Sequence, residues 1–169
     1  MYNIREITKE KSIAVNEVLQ IPIPPSFGAG EEAALKFAGT LSKTDKGFRL
    51  AGGASAAFKT ACSRCLEDCQ VLLSFNVEEI FAEENAVNFL NSNDDDYDII
   101  SFKGENIDVL PAINKNFLSN IPMRFLCGED CKGLCGICGG NLNQTECNCT
   151  YEPSGPFADL LAQMKQNEE

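Results

Sequence analysis

The feature that most constrains this chain is the placement of its nine cysteines in a sequence that has no histidine. Six of them, Cys127, Cys131, Cys135, Cys138, Cys147 and Cys149, follow one another as C-x3-C-x3-C-x2-C-x8-C-x-C. At the centre of the run stands Cys135-Gly136-Ile137-Cys138-Gly139-Gly140. Two thiolates two residues apart can chelate one cation across a tight turn, and the glycines let backbone N–H groups swing toward the sulfurs. Cys147 and Cys149 supply two more sulfurs after a short loop. Cys135, Cys138, Cys147 and Cys149 are therefore a candidate first metal site of the zinc-knuckle kind. Four thiolates around one ion leave no coordination position for water or substrate, so such a site is structural.

A second constellation, Cys62-Ser63-Arg64-Cys65, stands far upstream, with Cys69 beside it. Several uses are open to it. It can meet Cys127 and Cys131 in space to make a second metal site, which is the preferred reading. It can complete the first site, or be a pair of ordinary turn cysteines. A thioredoxin-like redox pair would want a βαβ context, whereas this one lies between two strands of an expected meander. Cys69 is left over as a core or surface thiol. For the downstream cluster, buried free thiols and oxidised disulfides are the alternatives to a metal. A spacing of four at Cys127, Cys131 and Cys135 also suits one face of a helix, which Gly128, Gly133 and Gly136 oppose.

Composition narrows these choices. Met1 to Glu6 does not read as a signal peptide, and no stretch approaches the ~18 apolar residues of a membrane span. The expected location is the reducing cytoplasm, where dense cysteine rarely means a disulfide framework. An odd count leaves one thiol unpaired under any disulfide scheme. The chain's 169 residues, 44% of them hydrophobic, can bury a core without covalent staples. The absence of histidine removes Ser-His-Asp triads, Cys-His dyads and His-ligated catalytic metal. No phosphate loop and no paired-carboxylate motif is recognisable, so no enzyme is expected. A net charge of -11 opposes nucleic-acid binding, which relies on Lys and Arg at the phosphates. Contact with RNA would need a local basic patch or an intervening protein.

The expected fold class is α+β: an antiparallel β-rich body over 1–125 with a few helices, then a Cys-rich zinc-knuckle module with a C-terminal helix over 126–169. Residues 1–30 read as a short N-terminal element and an extended Pro/Gly-rich connection. Strands are expected over 33–41, 48–60 and 70–81, with a turn at 43–47 and a bulge or bend at Gly52-Gly53. The segment 82–98 reads as an acidic surface loop. Its Asp94-Asp95-Asp96-Tyr97-Asp98 run lacks the ligand spacing of an EF-hand and is better read as solvated. Ile99 to Phe102 is a short strand. Asn106 to Asn120 has helical apolar spacing, with Asn106 as N-cap and Pro111 tolerated in the first turn. Pro156 to Lys165 reads as a short amphipathic helix. Lys43, Lys46, Arg49 and Lys59 make one hairpin locally basic, a pattern that solubility explains.

Two segments resemble the YceD family of bacterial and plastid proteins. One is Cys62-Ser63-Arg64-Cys65-Leu66 ahead of a strand ending Val77-Glu78-Glu79-Ile80-Phe81. The other runs from Leu126 to Asn143 through the knuckle and on to Cys147-Asn148-Cys149. Order and spacing extend the likeness over roughly residues 33–165. The resemblance implies a role in accumulation of large-subunit (23S) ribosomal RNA, and a metal-binding protein with a potential for nucleic-acid contact. Two departures stand out. Gly136 occupies a position where the family often has proline, and Glu152-Pro153-Ser154 stands where it often has Asp-Pro-Arg. The second change removes a basic group that could contact RNA or a partner. Some relatives lack the C-terminal cysteines. On this reading the chain is a non-enzymatic ribosome-biogenesis factor with one or two structural zinc ions. It would act on rRNA or a ribosome-assembly protein, with no small-molecule substrate and no membrane. The alternative is a redox-responsive zinc-thiolate switch or a protein-interaction adaptor.

Overall fold

In a computed structural model of the chain, residues 1–24, 32–86 and 99–150 are described. The chain opens with β1 (Tyr2–Asn3), α1 (Ile4–Glu10) and β2 (Ser12–Pro22). It continues through β3 (Glu32–Thr44), β4 (Gly47–Ala61) and β5 (Asp68–Glu83). There follow β6 (Ile99–Phe102), β7 (Asn106–Ile107) and α2 (Leu110–Asn120). Strands β2 to β6 form one sheet in sequence order, and β1 pairs with β7 in a small second sheet.

The long strands follow period-two burial. In β3, Ala33, Leu35, Phe37 and Leu41 point inward while the residues between them are exposed or half-buried. An alternation of this kind makes one face apolar and the other wet, which suits an antiparallel sheet. Helix α2 covers the apolar face with Ala112, Ile113 and Phe117, all fully buried. It is tied down by Glu79 of β5, a buried carboxylate that accepts from Asn116 Nδ2 at 2.6 Å and lies 3.6 Å from Lys115 Nζ. A buried charge needs such partners to be tolerated.

Several elements differ from the sequence expectation. The N-terminal region expected to hold a short element and a connection contains α1 and the 11-residue strand β2, paired with β3 from Ser12↔Ser42 to Pro22↔Glu32. Its apolar alternation, Ile13, Val15, Leu19 and Ile21, is interrupted by Glu17. That side chain is only half-exposed because the Tyr2 hydroxyl donates to it at 2.8 Å. No bulge occurs at Gly52-Gly53: pairing runs unbroken through Gly39↔Gly52↔Val77 and Ala38↔Gly53↔Asn76. The glycines serve a close approach instead, because a Cβ at Gly39 or Gly52 would overlap backbone of the neighbouring strand and the Phe37 ring. The meander β2–β5 is antiparallel, but β6 joins β5 in parallel. Asn106 is not the N-cap of α2. It pairs with Asn3 in the small sheet, and the helix begins after Val109 with Pro111 in its first turn. The central part of the acidic loop, with Asp94 to Asp98, and the expected C-terminal helix lie outside the described residues.

Aromatic rings set the far end of the core. Phe58 of β4 meets Phe117 of α2 at 6.4 Å and Phe125 at 5.7 Å, both edge-on. Phe58 lies four residues before Cys62, and Phe125 lies two before Cys127. This cluster therefore brings together the two stretches of chain that carry the upstream and downstream cysteines. Edge-to-face pairs add ~0.5–1.5 kcal/mol beyond their buried area.

Candidate metal centres

Beyond β4 the chain makes a compact turn. The Cys62 amide donates to the Glu67 carbonyl at 2.8 Å, and the Leu66 amide donates to the Cys62 carbonyl at 3.0 Å. Within it the Arg64 amide points at Cys62 Sγ, 3.5 Å away. Leu66 closes the turn at φ +62°. The downstream knuckle repeats this pattern. The Cys135 amide donates to the Gly140 carbonyl at 2.8 Å and the Gly139 amide to the Cys135 carbonyl at 2.9 Å. The Ile137 amide points at Cys135 Sγ, 3.4 Å away, and Gly139 sits at φ +71°. The two C-x2-C segments are thus the same turn, built once with glycine at the left-handed position and once with leucine, which is strained there by ~1–2 kcal/mol. Gly136 is not needed for space, since a Cβ there would meet nothing within 4 Å.

Each knuckle is completed by a second pair of sulfurs. Cys62, Cys65, Cys127 and Cys131 have all four Sγ atoms within 4.8 Å of one another, and so do Cys135, Cys138, Cys147 and Cys149. In the first tetrad Cys62 Sγ lies 3.8 Å from Cys131 Sγ, and Cys65 Sγ lies 3.6 Å from Cys127 Sγ. With Zn–S bonds of ~2.3 Å, a tetrahedron of sulfurs has edges of about 3.8 Å. The thiolate donor set and these separations fit such an ion, and both tetrads could hold one. All nine cysteines are free thiols.

The first tetrad is held by the body. The Ser63 amide donates to the Phe125 carbonyl at 2.7 Å, and the Phe125 amide donates to Ser63 Oγ at 3.1 Å. The Arg64 guanidinium donates to the Cys131 carbonyl at 2.9 Å. Cys62, Cys65 and Cys131 are buried and Cys127 is exposed. Cys69, on β5 opposite Thr60, is half-buried against this cluster and belongs to neither tetrad. In the second tetrad Cys135 and Cys147 are half-buried, while Cys138 and Cys149 are exposed.

Electrostatics within each tetrad are in conflict without a cation. The Cys65 and Arg64 amides pull Cys62 down to about 6, and the Cys138 and Ile137 amides do the same for Cys135. A hydrogen bond to the charged form favours that form. The neighbouring sulfurs then resist a further charge. Cys127, beside Cys131 and Cys65, is pushed up to about 12, and Cys149, beside Cys138, likewise reaches about 12. Against the lowering pull of the Glu67 amide, burial and Cys62 hold Cys65 above its ordinary value. Cys131 is lowered, first by the Asn143 side-chain amide, which lies 3.3 Å from its sulfur. A dication in each tetrad removes the conflict by allowing all four sulfurs to ionise.

The structure brings together the sulfurs of Cys135, Cys138, Cys147 and Cys149, and separately those of Cys62, Cys65, Cys127 and Cys131. The first of these groups lies wholly beyond the 125/126 division, while the second takes two sulfurs from each side of it. The sequence reading missed the residues that brace the tetrads: Ser63, Arg64, Glu67, Phe125 and Asn143. The equal spacing of the two C-x2-C pairs was a usable signal for the repeated turn. Of the basic hairpin residues, Arg49 is engaged by Glu78 at 2.8 Å. No helix among the described residues is long and apolar enough to cross a membrane.

These features define a class: a β-sheet protein with few helices, carrying two clusters of four thiols, each able to hold a metal ion. The model of the family described as "Large ribosomal RNA subunit accumulation protein YceD" matches residues 50–164, and the chain belongs to this family. All nine cysteines fall inside the matched segment. A curated relative, the "Large ribosomal RNA subunit accumulation protein YCED homolog 1, chloroplastic" of Arabidopsis thaliana, is 36% identical over 66 residues. That alignment covers 37% of this chain and 21% of the relative, so the chain matches about a fifth of the relative's length. No solved structure matches.

Proposed function

We propose that this chain is a non-enzymatic factor in the accumulation of large-subunit (23S) ribosomal RNA, stiffened by one zinc ion in each thiol tetrad. The observation that carries the reading is that both tetrads, with sulfur separations suited to a tetrahedral ion, fall within the segment matched by the YceD family. Family membership supports a ribosome-biogenesis role. The donor chemistry supports zinc, since four-sulfur sites favour zinc or iron–sulfur over hard cations. Closed tetrads and a chain without histidine leave nothing to activate water, which favours a binding role over a catalytic one. With a net charge of -11, docking through a ribosome-assembly protein is favoured over direct phosphate contact. In this reading the protein works in the cytoplasm, where thiolates stay reduced.

The test has two arms. Deletion should lower 23S rRNA relative to 16S rRNA, and re-expression of the intact chain should restore the ratio; an unchanged ratio in a clean deletion overturns the role. Protein purified under reducing conditions should carry two zinc ions. A metal-free protein whose residues 127–149 remain ordered would overturn the cofactor assignment.

A redox-responsive second reading is favoured by one observation, the exposure of Cys138 and Cys149. Two thiolates there can pass two electrons to a peroxide, forming a disulfide and, with two protons, two waters, with loss of the ion. Zinc retained through mild peroxide would remove this reading.

A further inference from the structure

The two tetrads are not independent. The segment between Cys138 and Cys147, which must fold back to deliver Cys147 and Cys149, is braced on the first tetrad along its length. The Asn143 side chain donates from Nδ2 to Cys131 Sγ at 3.3 Å, and its Oδ1 accepts the Lys132 amide at 2.8 Å. The Leu142 amide donates to the Gly133 carbonyl at 2.9 Å, and the Leu134 amide donates to the Arg64 carbonyl at 3.1 Å. Leu134 and Asn141 form an isolated bridge. Asn141 Nδ2 and Gln144 Nε2 both donate to the Glu67 carboxylate, at 3.3 and 3.1 Å. Glu67 and Arg64 belong to the turn of the upstream knuckle.

We infer that Asn143 is a positioning residue through which filling of the Cys62/Cys65/Cys127/Cys131 site raises the metal affinity of the Cys135/Cys138/Cys147/Cys149 site. This rests on the metal-binding reading proposed above. The physical link is the Nδ2–H···S contact. An ion in the first tetrad would fix Cys131 Sγ and the backbone beside it, and so fix the acceptor to which Asn143 donates. The fixed Asn143 then holds Asn141, whose carbonyl accepts the amides of Gln144 and Thr145 at 3.1 and 3.0 Å, just ahead of Cys147. The order is also set. The first tetrad has its arms placed by the sheet and by Phe125, so it loads without help. The second lacks such support and loads onto a loop the first has ordered. By linkage the second ion strengthens the first by the same factor.

Titration of the full-length metal-free protein with Zn²⁺ alone, followed by native mass spectrometry, tests this. The one-zinc species should fall below its statistical share, and the small amount present should carry its ion in the first tetrad. A charge-assisted hydrogen bond of this kind corresponds to about ten- to a hundredfold in affinity. Cys65→Ser should therefore weaken the second site by about that factor, and Cys138→Ser should weaken the first by the same factor. Amide exchange of the sheet reports whether the body of each cysteine variant is intact. Asn143→Ala keeps every ligand thiol and should raise the one-zinc species above its wild-type share. Asn143→Asp keeps the acceptor for Lys132 and loses the donor to sulfur, and should do the same. Two ions binding statistically in the wild type, or an undiminished deficit of the one-zinc species in Asn143→Ala, overturns the coupling and leaves metal binding standing. A wild type that binds no zinc overturns metal binding itself.

Discussion

The two C-x2-C turns have the same hydrogen bonds and close through the same left-handed position, Leu66 in one and Gly139 in the other, yet they carry different structural burdens. The first joins residues 62 and 65, at the end of a central strand, to residues 127 and 131, beyond the covering helix. It sits under a clasp of Ser63 and Phe125, with three of its four cysteines buried. The second closes only the loop from 135 to 149, with Cys138 and Cys149 in solvent. A cross-link between distant points removes more freedom from the unfolded chain than one that closes a short loop. An ion in the first tetrad would therefore stabilise the tertiary fold, while an ion in the second would fold mainly its own loop. Identical local chemistry thus does two jobs, decided by what surrounds it.

The comparison breaks if the two sites respond alike to damage. Cys62→Ser should remove one ion and lower Tm further than either Cys149→Ser or Phe125→Ala. Cys149→Ser should remove one ion and lower the melting of the sheet by less than Cys62→Ser does, with amide-exchange protection lost chiefly over about residues 135–149. Equal Tm losses would show that both tetrads support the body. Next in size, Phe125→Ala should cost about 3–5 kcal/mol, because it empties the ring contact with Phe58 and loosens the first tetrad. Chemical denaturation measures the cost, and a loss under about 1 kcal/mol would mean that the clasp does not hold the body.

Acid should sharpen the contrast. Above about pH 6 the metal-free protein already holds Cys62 and Cys135 as thiolates, so a binding ion displaces protons chiefly from their raised partners, Cys127 and Cys149 among them. Below about 6 those two sulfurs are protonated as well and add to the competition. Stability contributed by the ions is thus present at neutral and alkaline pH and is lost as pH falls, with a steeper slope below about 6. Zinc affinity measured against a competing chelator from pH 5 to pH 8 should show that change of slope. The exposed second tetrad should empty at the higher pH of the two. The smallest effect concerns the turns themselves. Leu66→Gly should stabilise by up to about 1 kcal/mol, because the side chain is largely exposed and the left-handed backbone strain is relieved. Gly139→Ala should destabilise the second knuckle by ~1–2 kcal/mol. Thermal melts of the two variants give opposite signs if the turns are equivalent.

Much of the sheet was legible because β3, β4 and β5 alternate apolar and polar residues over most of their length. β2 was hidden by Glu17, an inward carboxylate tolerated only because Tyr2, from another element, donates to it. The parallel pairing of β6 has no local signature, since it depends on where an intervening segment returns the chain. Asn106 was misread because an N-cap side chain and a residue of a two-residue strand look the same without their partner, which is Asn3. At the candidate metal centres the sulfurs were evident from spacing. Asn143, Arg64 and Glu67 were not, because polar residues in a loop read as solvated until their partners are in place.

The sequence alone determined the chemistry on offer in this protein: two tight C-x2-C turns, a surplus of thiols, no imidazole, and strands able to bury one face. These follow from residue type and short-range spacing, which act within a few bonds of the backbone. Only the tertiary structure decided which sulfurs meet, how deeply each tetrad is buried, and that one tetrad braces the other. Those outcomes depend on contacts such as Phe58 with Phe125 and Asn143 with Cys131. Side chains of this kind come together only after the sheet register and the helix docking have been set.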